Sequence, residues 1–260
     1  MSAYQFINYT VADSIGRIVF NRPDQLNAMN RVIMDELIHA LSVINADSAV
    51  RVGLLTGAGK AFMAGADIKE YARQTEAEFD TFQTRGRELY AAIEGNAKPV
   101  VAAVNGYAFG GGLEIALACD LMVAVEGAKM GLPEITLGLI PGGGGTQRLP
   151  RKIGLNRANE LLMTGNTVTA EQFMAWGLVN HIYPRESFAT ESEAFAREVA
   201  QRPADALRIL KQLSRLAAGS MDTAAQAIEN EALSRLYKST EGQERIQAFC
   251  RKSEERKSRT

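Results

Sequence analysis

The sequence predicts an α/β fold on two observations. Short apolar runs alternate with longer amphipathic stretches through the first two thirds of the chain, and the strand signal then gives way to helical patterns alone. Arg17–Phe20, Val52–Thr56, Pro99–Val104, Leu121–Val125 and Leu178–Ile182 are brief and apolar and end in Gly, Asn or charge, as buried strands do. Between the first two, Asn30 is placed to cap a helix in which Ile33, Leu37, Leu41 and Ile44 form one apolar stripe. From about residue 187 the helical candidates are Ser187–Ala200, Pro203–Ala218, Asp222–Tyr237 and Ser239–Arg251. Pro203 suits a first helical position, with Ile209, Leu213 and Leu216 on one face, and Gly219–Asp222 reads as a stop followed by a new cap. The expected division is a core over residues 1–200 that carries the site and a helical region over 201–260.

Composition narrows the function classes. With 260 residues, 46% hydrophobic, 29 basic residues against 30 acidic and a net charge of −1, the chain can bury a large core and has no electrostatic footprint for nucleic acid or an anionic membrane. The densest charge run, Arg251–Arg259, mixes both signs. No apolar run approaches the ~18 residues of a membrane span, and the first ten residues lack a basic and apolar leader pattern, so a cytoplasmic protein is expected. Cys119 and Cys250 show no metal-ligand spacing.

His39 and His181 are the only histidines, and neither is paired with a nucleophile motif. The nearest string to a nucleophile elbow, Ala12–Gly16, begins with Ala and precedes a strand, whereas the elbow follows one. Acid–base chemistry therefore falls to carboxylates.

Three glycine-rich stretches bear on that chemistry. Gly57-Ala-Gly59-Lys60 follows a strand but fails as a P-loop, with Leu54 and Ala61 at the required Gly and hydroxyl positions, and as a dinucleotide fingerprint, with Phe62 at the third glycine. Gly110-Gly111-Gly112 leaves a buried strand and opens an apolar helix containing Glu114. Glycines at a helix start carry a propensity cost, offset either by close strand–helix packing or by a ligand approaching the free N–H groups there. The third stretch, Gly131–Arg148, contains Glu134 in an apolar context, with Arg148 as an available partner for either acid.

The separation of 20 positions from Glu114 to Glu134 allows a helix, a strand and a return to one turn. Two adjacent carboxylates, one protonated and one ionised, beside a turn that binds a negative oxygen suit the addition of water across a double bond conjugated to a thioester. Neither a metal nor a redox cofactor enters such a scheme.

Several segments together resemble the crotonase (enoyl-CoA hydratase/isomerase) superfamily, and most closely its enoyl-CoA hydratases. They are Asn21-Arg-Pro23 with Leu26-Asn-Ala28, Ala61-Phe62 with Ala64–Lys69, Lys98–Ala108, the triple glycine with Glu114, Pro133-Glu134, and Pro141 with Gly144–Arg148. The resemblance implies a spiral of ββα units followed by a C-terminal helical oligomerisation region, and a homotrimer or homohexamer. It implies an acyl-CoA thioester as substrate, an oxyanion hole from the N–H groups of Ala66 and Gly111, water held by Glu114, and proton exchange at Cα by Glu134. It also implies binding of adenine by the backbone of Ala64, Gly65, Ala66, Asp67 and Ile68, CoA contacts at Ala28, and phosphate contacts by Lys60 and Lys69. Both acids favour hydration over isomerisation, with isomerases, specialised dehydratases or lyases, and non-catalytic relatives as alternatives. Asp24 stands where some hydratases place a lysine, and the ending around Phe249, loosely similar to the family's, places that ring against a neighbouring subunit's CoA. Within Tyr71–Glu94, the residues Phe79, Phe82, Leu89 and Tyr90 are read either as an acyl-pocket wall or as core at helical spacing.

Overall fold

The computed structural model describes residues 4–217, 234, 237, 238 and 240–257. The strands are β1 (Ile7–Ala12), β2 (Ile15–Phe20), β3 (Val52–Gly57), β4 (Ala61–Met63), β5 (Val100–Val104), β6 (Tyr107–Phe109), β7 (Leu121–Val125), β8 (Lys129–Gly131), β9 (Thr167–Thr169) and β10 (His181–Tyr183). The helices, numbered over the described residues, are α1 (Arg31–Ala46), α2 (Ile68–Tyr71), α3 (Glu76–Glu94), α4 (Gly111–Ala118), α5 (Gly145–Ile153), α6 (Leu155–Thr164), α7 (Ala170–Ala175), α8 (Phe188–Ala200), α9 (Ala204–Ala217) and α10 (Thr240–Lys257).

Two sheets form. One runs in the order β1-β2-β3-β5-β7-β10 and the other β4-β6-β8-β9. The chain lays β3, β5 and β7 side by side in the first sheet, and after each it turns into the second sheet as β4, β6 and β8 before entering a helix or a 3-10 turn. This repeated ββα step is the spiral that the family resemblance implied. Both faces of the central parallel strands β3, β5 and β7 are largely covered, so they read as continuous apolar runs; every residue of β5 is buried. β1 and β2 form the antiparallel hairpin at the edge, joined through Asp13 and Ser14 in left-handed conformation, which is the structural role of the Ala12–Gly16 string.

Asn30 caps α1 through a bond from the Ile33 N–H to its Oδ1 at 2.9 Å, and Ile33, Leu37, Leu41 and Ile44 are buried as the stripe required. The strand read at Leu178–Ile182 begins later, at His181. Leu178 is buried in the approach to it, its N–H bonded to the Phe173 carbonyl, and the His181 side chain is exposed. Pro203 precedes α9 by one residue, its carbonyl accepting from Leu207 N–H. Ile209 on α9 is exposed, and the helix expected at Asp222–Tyr237 lies largely outside the described residues. No described helix is long and apolar enough to cross a membrane.

Candidate active site

The site is assembled where the starts of the second-sheet units meet. The Arg22–Ala28 turn is its foundation. Asn27, fully buried, accepts from Arg22 N–H and donates through Nδ2 to the carbonyls of Ala58, Ala61 and Phe62 at 3.0, 2.8 and 3.3 Å, which fastens this turn to the strand exit before β4. Arg22 bonds the Ala28 carbonyl and pairs with Asp67 at 2.8 Å. Asp67 also caps α2 by accepting from Lys69 and Glu70 N–H. Met29 then bridges the segment as a strand would: its N–H donates to the Gly65 carbonyl and its carbonyl accepts from Asp67 N–H. The alternation of a parallel bridge turns the intervening Ala66 N–H away from Met29.

The three glycines have separate reasons. Gly110 has φ +50°, a region costly for a side chain. A Cβ at Gly111 would meet Met29 Cε at 2.8 Å, and one at Gly112 would lie 2.0 Å from the Met63 carbonyl oxygen of β4. Close packing and an exposed helix start thus coexist in one turn. Gly111 is the first residue of α4, so its N–H has no partner within the helix. Among the described residues neither the Ala66 nor the Gly111 N–H has an acceptor, and both residues line a cavity of about 270 Å³.

Glu114 sits one turn into α4, 3% exposed. Its Oε1 accepts from Gly143 N–H and Gly145 N–H, both at 2.8 Å, and its Oε2 faces the Tyr90 hydroxyl at 3.5 Å. One carboxylate oxygen is locked to the glycine loop, and the other is turned toward the cavity wall. Burial pushes the Glu114 carboxyl up, opposed by these amides and by the Arg148 guanidinium. Arg148 does not pair with Glu114 or Glu134: it binds Glu94 at 2.8 Å and the Gly143 carbonyl, and so holds the loop that holds Glu114. Tyr90 packs beneath that loop, with the Arg148 guanidinium 5.4 Å from its ring centre.

Glu134 arrives on the 3-10 turn Pro133–Leu137 that follows β8. Between the two acids the chain forms the second half of α4 and then two strands, β7 and β8, where the spacing had suggested one. A Cβ at Gly110 would lie 3.0 Å from Glu134 Oε1, so the acid rests against the glycine turn, and Glu114 and Glu134 line the same cavity. The burial that raises the Tyr71 and Tyr90 phenols is reinforced by the charges of both glutamates.

Ala64, Gly65 and Ile68 line this cavity as well, and Asp67 and Lys69 line a separate polar groove that also contains Arg22, Arg31 and Arg73. Lys60 and Ala28 line neither: Lys60 is exposed on the turn after β3, its carbonyl accepting from Tyr107 N–H, and Ala28 contributes its carbonyl to Arg22. The two readings of Tyr71–Glu94 divide by face. Phe82 and Tyr90 line the cavity, while Phe79 and Leu89 are core. Sequence reasoning missed Tyr71, Gln83 and Gly86 in that wall, as well as the organising roles of Arg22 and Asn27. Phe249, on α10, lines the cavity of its own chain. Tyr237 donates to the carbonyls of Tyr71 and Gln74, and Cys250 Sγ lies 3.7 Å from the Ile68 carbonyl, which places the C-terminal helix over α2.

Comparisons with known proteins identify the chain's relatives. The family model described as Enoyl-CoA hydratase/isomerase matches residues 10–258. A crotonyl-CoA hydratase of Syntrophomonas wolfei is 35% identical over 251 residues, covering 96% of each chain. A 2,3-dehydroadipyl-CoA hydratase of Escherichia coli is 37% identical over 235 residues, covering 90% of this chain and 91% of the relative. The crystal structure of an enoyl-CoA hydratase from Mycobacterium avium subsp. paratuberculosis superimposes with a TM-score of 0.87 at 29% identity, covering 95% of this chain and all of that one. Sequence matched over nearly the whole length and a shared spiral fold give one conclusion: the chain belongs to the enoyl-CoA hydratase/isomerase family.

Proposed function

We propose that the chain hydrates trans-2-enoyl-CoA thioesters to 3-hydroxyacyl-CoA. The observation that carries this reading is the meeting of Glu114, Glu134 and the N–H groups of Ala66 and Gly111 in the lining of one cavity. The thioester carbonyl accepts from both amides, which stabilise the negative charge that develops on its oxygen as water adds. Glu114 takes a proton from the attacking water. Its upward-shifted carboxyl makes it a stronger base, and its bonds to Gly143 and Gly145 keep the ionised oxygen aimed. The hydroxyl goes to Cβ, Glu134 delivers a proton to Cα, and transfer of the proton on Glu114 to Glu134 resets the pair with one water consumed.

The scheme uses carboxylates and backbone amides and calls on no metal or redox cofactor. The backbone of Ala64–Ile68 would receive the adenine, and Lys69 in the adjoining groove the CoA phosphates. Assembly as a homotrimer or homohexamer is in keeping with Leu155, Met163 and Met174, which are exposed at 65%, 71% and 46% on α6 and α7.

The assay follows loss of the conjugated-thioester absorbance with crotonyl-CoA and longer 2-enoyl-CoAs, with mass spectrometry of the product. Gain of one water is the expected result. A product of unchanged mass with its double bond moved would replace hydration by isomerisation, and binding without turnover at any chain length would reject both.

A further inference from the structure

Tyr71 and Gln83 line the cavity and have no part in the chemistry above. Both are buried, at 7% and 8% exposure, and they bond to each other, Gln83 Nε2 donating to the Tyr71 hydroxyl at 3.1 Å. The Tyr71 ring is fixed by edge contacts with Phe79, Phe82 and Tyr237, so its hydroxyl has a set direction. Between them the phenol and the amide own three protons, and their mutual bond uses one. If the amide is turned the other way, Tyr71 donates to the Gln83 carbonyl oxygen and both amide protons remain. In either arrangement two donors are left over, and no other partner for these side chains exists among the described residues. Buried donors left without acceptors are costly, so an acceptor brought in by the ligand is rewarded.

The acceptor must also be neutral. None of the residues lining the cavity is Lys, Arg or His, and two are glutamates. Arg148 binds Glu94 and the Gly143 carbonyl and does not line the cavity. A carboxylate at the far end of the acyl chain would enter a cavity that holds the ionised Glu114 and whose lining offers no Lys, Arg or His to pair with it.

We infer that Tyr71 and Gln83 are specificity-determining residues that select 2-enoyl thioesters carrying an uncharged oxygen acceptor, a hydroxyl or ketone, on the chain beyond the alkene. This rests on the hydration reading and names the substrate class of that site. Discrimination of about tenfold is the size expected of one neutral hydrogen bond.

The test compares kcat/KM for 5-hydroxyhex-2-enoyl-CoA, hex-2-enoyl-CoA and 2,3-dehydroadipyl-CoA, whose chain ends in a carboxylate. The expected order is hydroxyl first by about tenfold, the plain chain second and the carboxylate last. Tyr71→Phe keeps the ring contacts and Gln83→Met keeps the length, and each brings the hydroxyl-to-plain ratio down toward one. A wild-type ratio of one or less, a preference for the carboxylate, or a ratio that neither variant changes would overturn the inference and leave hydration standing. If no thioester is hydrated, the hydration reading falls separately. Calorimetric binding of 5-hydroxyhexanoyl-CoA against hexanoyl-CoA then reads the same ratio, with equal affinities overturning the inference. Thermal melts of both variants establish that the fold is retained.

Discussion

Replacing Glu134 with Gln lowers kcat for enoyl-CoA hydration by about 10²–10⁴-fold, the range for loss of a positioned acid or base, while CoA thioesters still bind. Glu134 lies against the Gly110 turn at the cavity, so the amide fills the same space and removes only the transferable proton. Glu114→Gln gives a loss of the same order for a different reason: Gln can still accept from Gly143 and Gly145, but it cannot take a proton from water. Equal losses of binding and turnover would assign either acid a structural role.

The Glu114 variant also carries a stability signature. Burial raises the folded-state carboxyl above its ordinary value of 4.5, so between those values the folded chain holds a proton that the unfolded chain has lost. Stability from this group is therefore present below about 4.5 and falls away as pH rises through the folded-state value. Glu114→Gln lacks that loss. Its melting temperature exceeds wild type at pH 7, and the difference shrinks toward pH 4.5. A scan of melting temperature against pH for both proteins checks the sign.

The second large effect is on folding. Gly112→Ala places a methyl group 2.0 Å from the Met63 carbonyl oxygen, which is backbone of β4 and cannot swing aside. Overpacking of this kind costs about 3 kcal/mol. Because Met63 ends β4, immediately before Ala64–Ala66, the displacement reaches the Ala66 amide and lowers turnover in the molecules that do fold. Gly86→Ala is the control: inside α3, its new Cβ meets nothing nearer than 3.8 Å, and the helix gains about 1 kcal/mol of propensity. Urea unfolding of the two variants should separate them in opposite directions from wild type.

The centre of the first sheet was legible because β3, β5 and β7 are largely buried, and Val100–Val104 reads as a strand with no tertiary information, whereas the edge strand β1, exposed along most of its length, was not read. The second sheet was not. β4, β6, β8 and β9 have three residues each, too few to show any period, yet their ends are what bring Ala66, Gly111 and Glu134 together. Glu114 and Glu134 could be found because a carboxylate among apolar neighbours is uncommon. Arg148 was recognised as a cation near them but not as the clamp on the Gly142–Gly145 loop, since its partner Glu94 lies 54 positions away. Gln83 escaped notice because a polar residue on a helix ordinarily marks the solvent face, and only the packing of α2 on α3 turns it inward. The position of α10 over α2 brings Phe249 into the lining of its own chain's cavity, a placement that depends on tertiary packing.

The most direct test of two acids acting on one water above a gripped thioester is a crystal structure of the chain with a saturated acyl-CoA that cannot react. The account predicts a carbonyl oxygen 2.7–3.1 Å from both the Ala66 and Gly111 nitrogens, and a single ordered water hydrogen-bonded to Glu114 and Glu134 at the Cα–Cβ bond. A thioester oxygen bound elsewhere, or the two carboxylates engaging separate parts of the ligand, would contradict it.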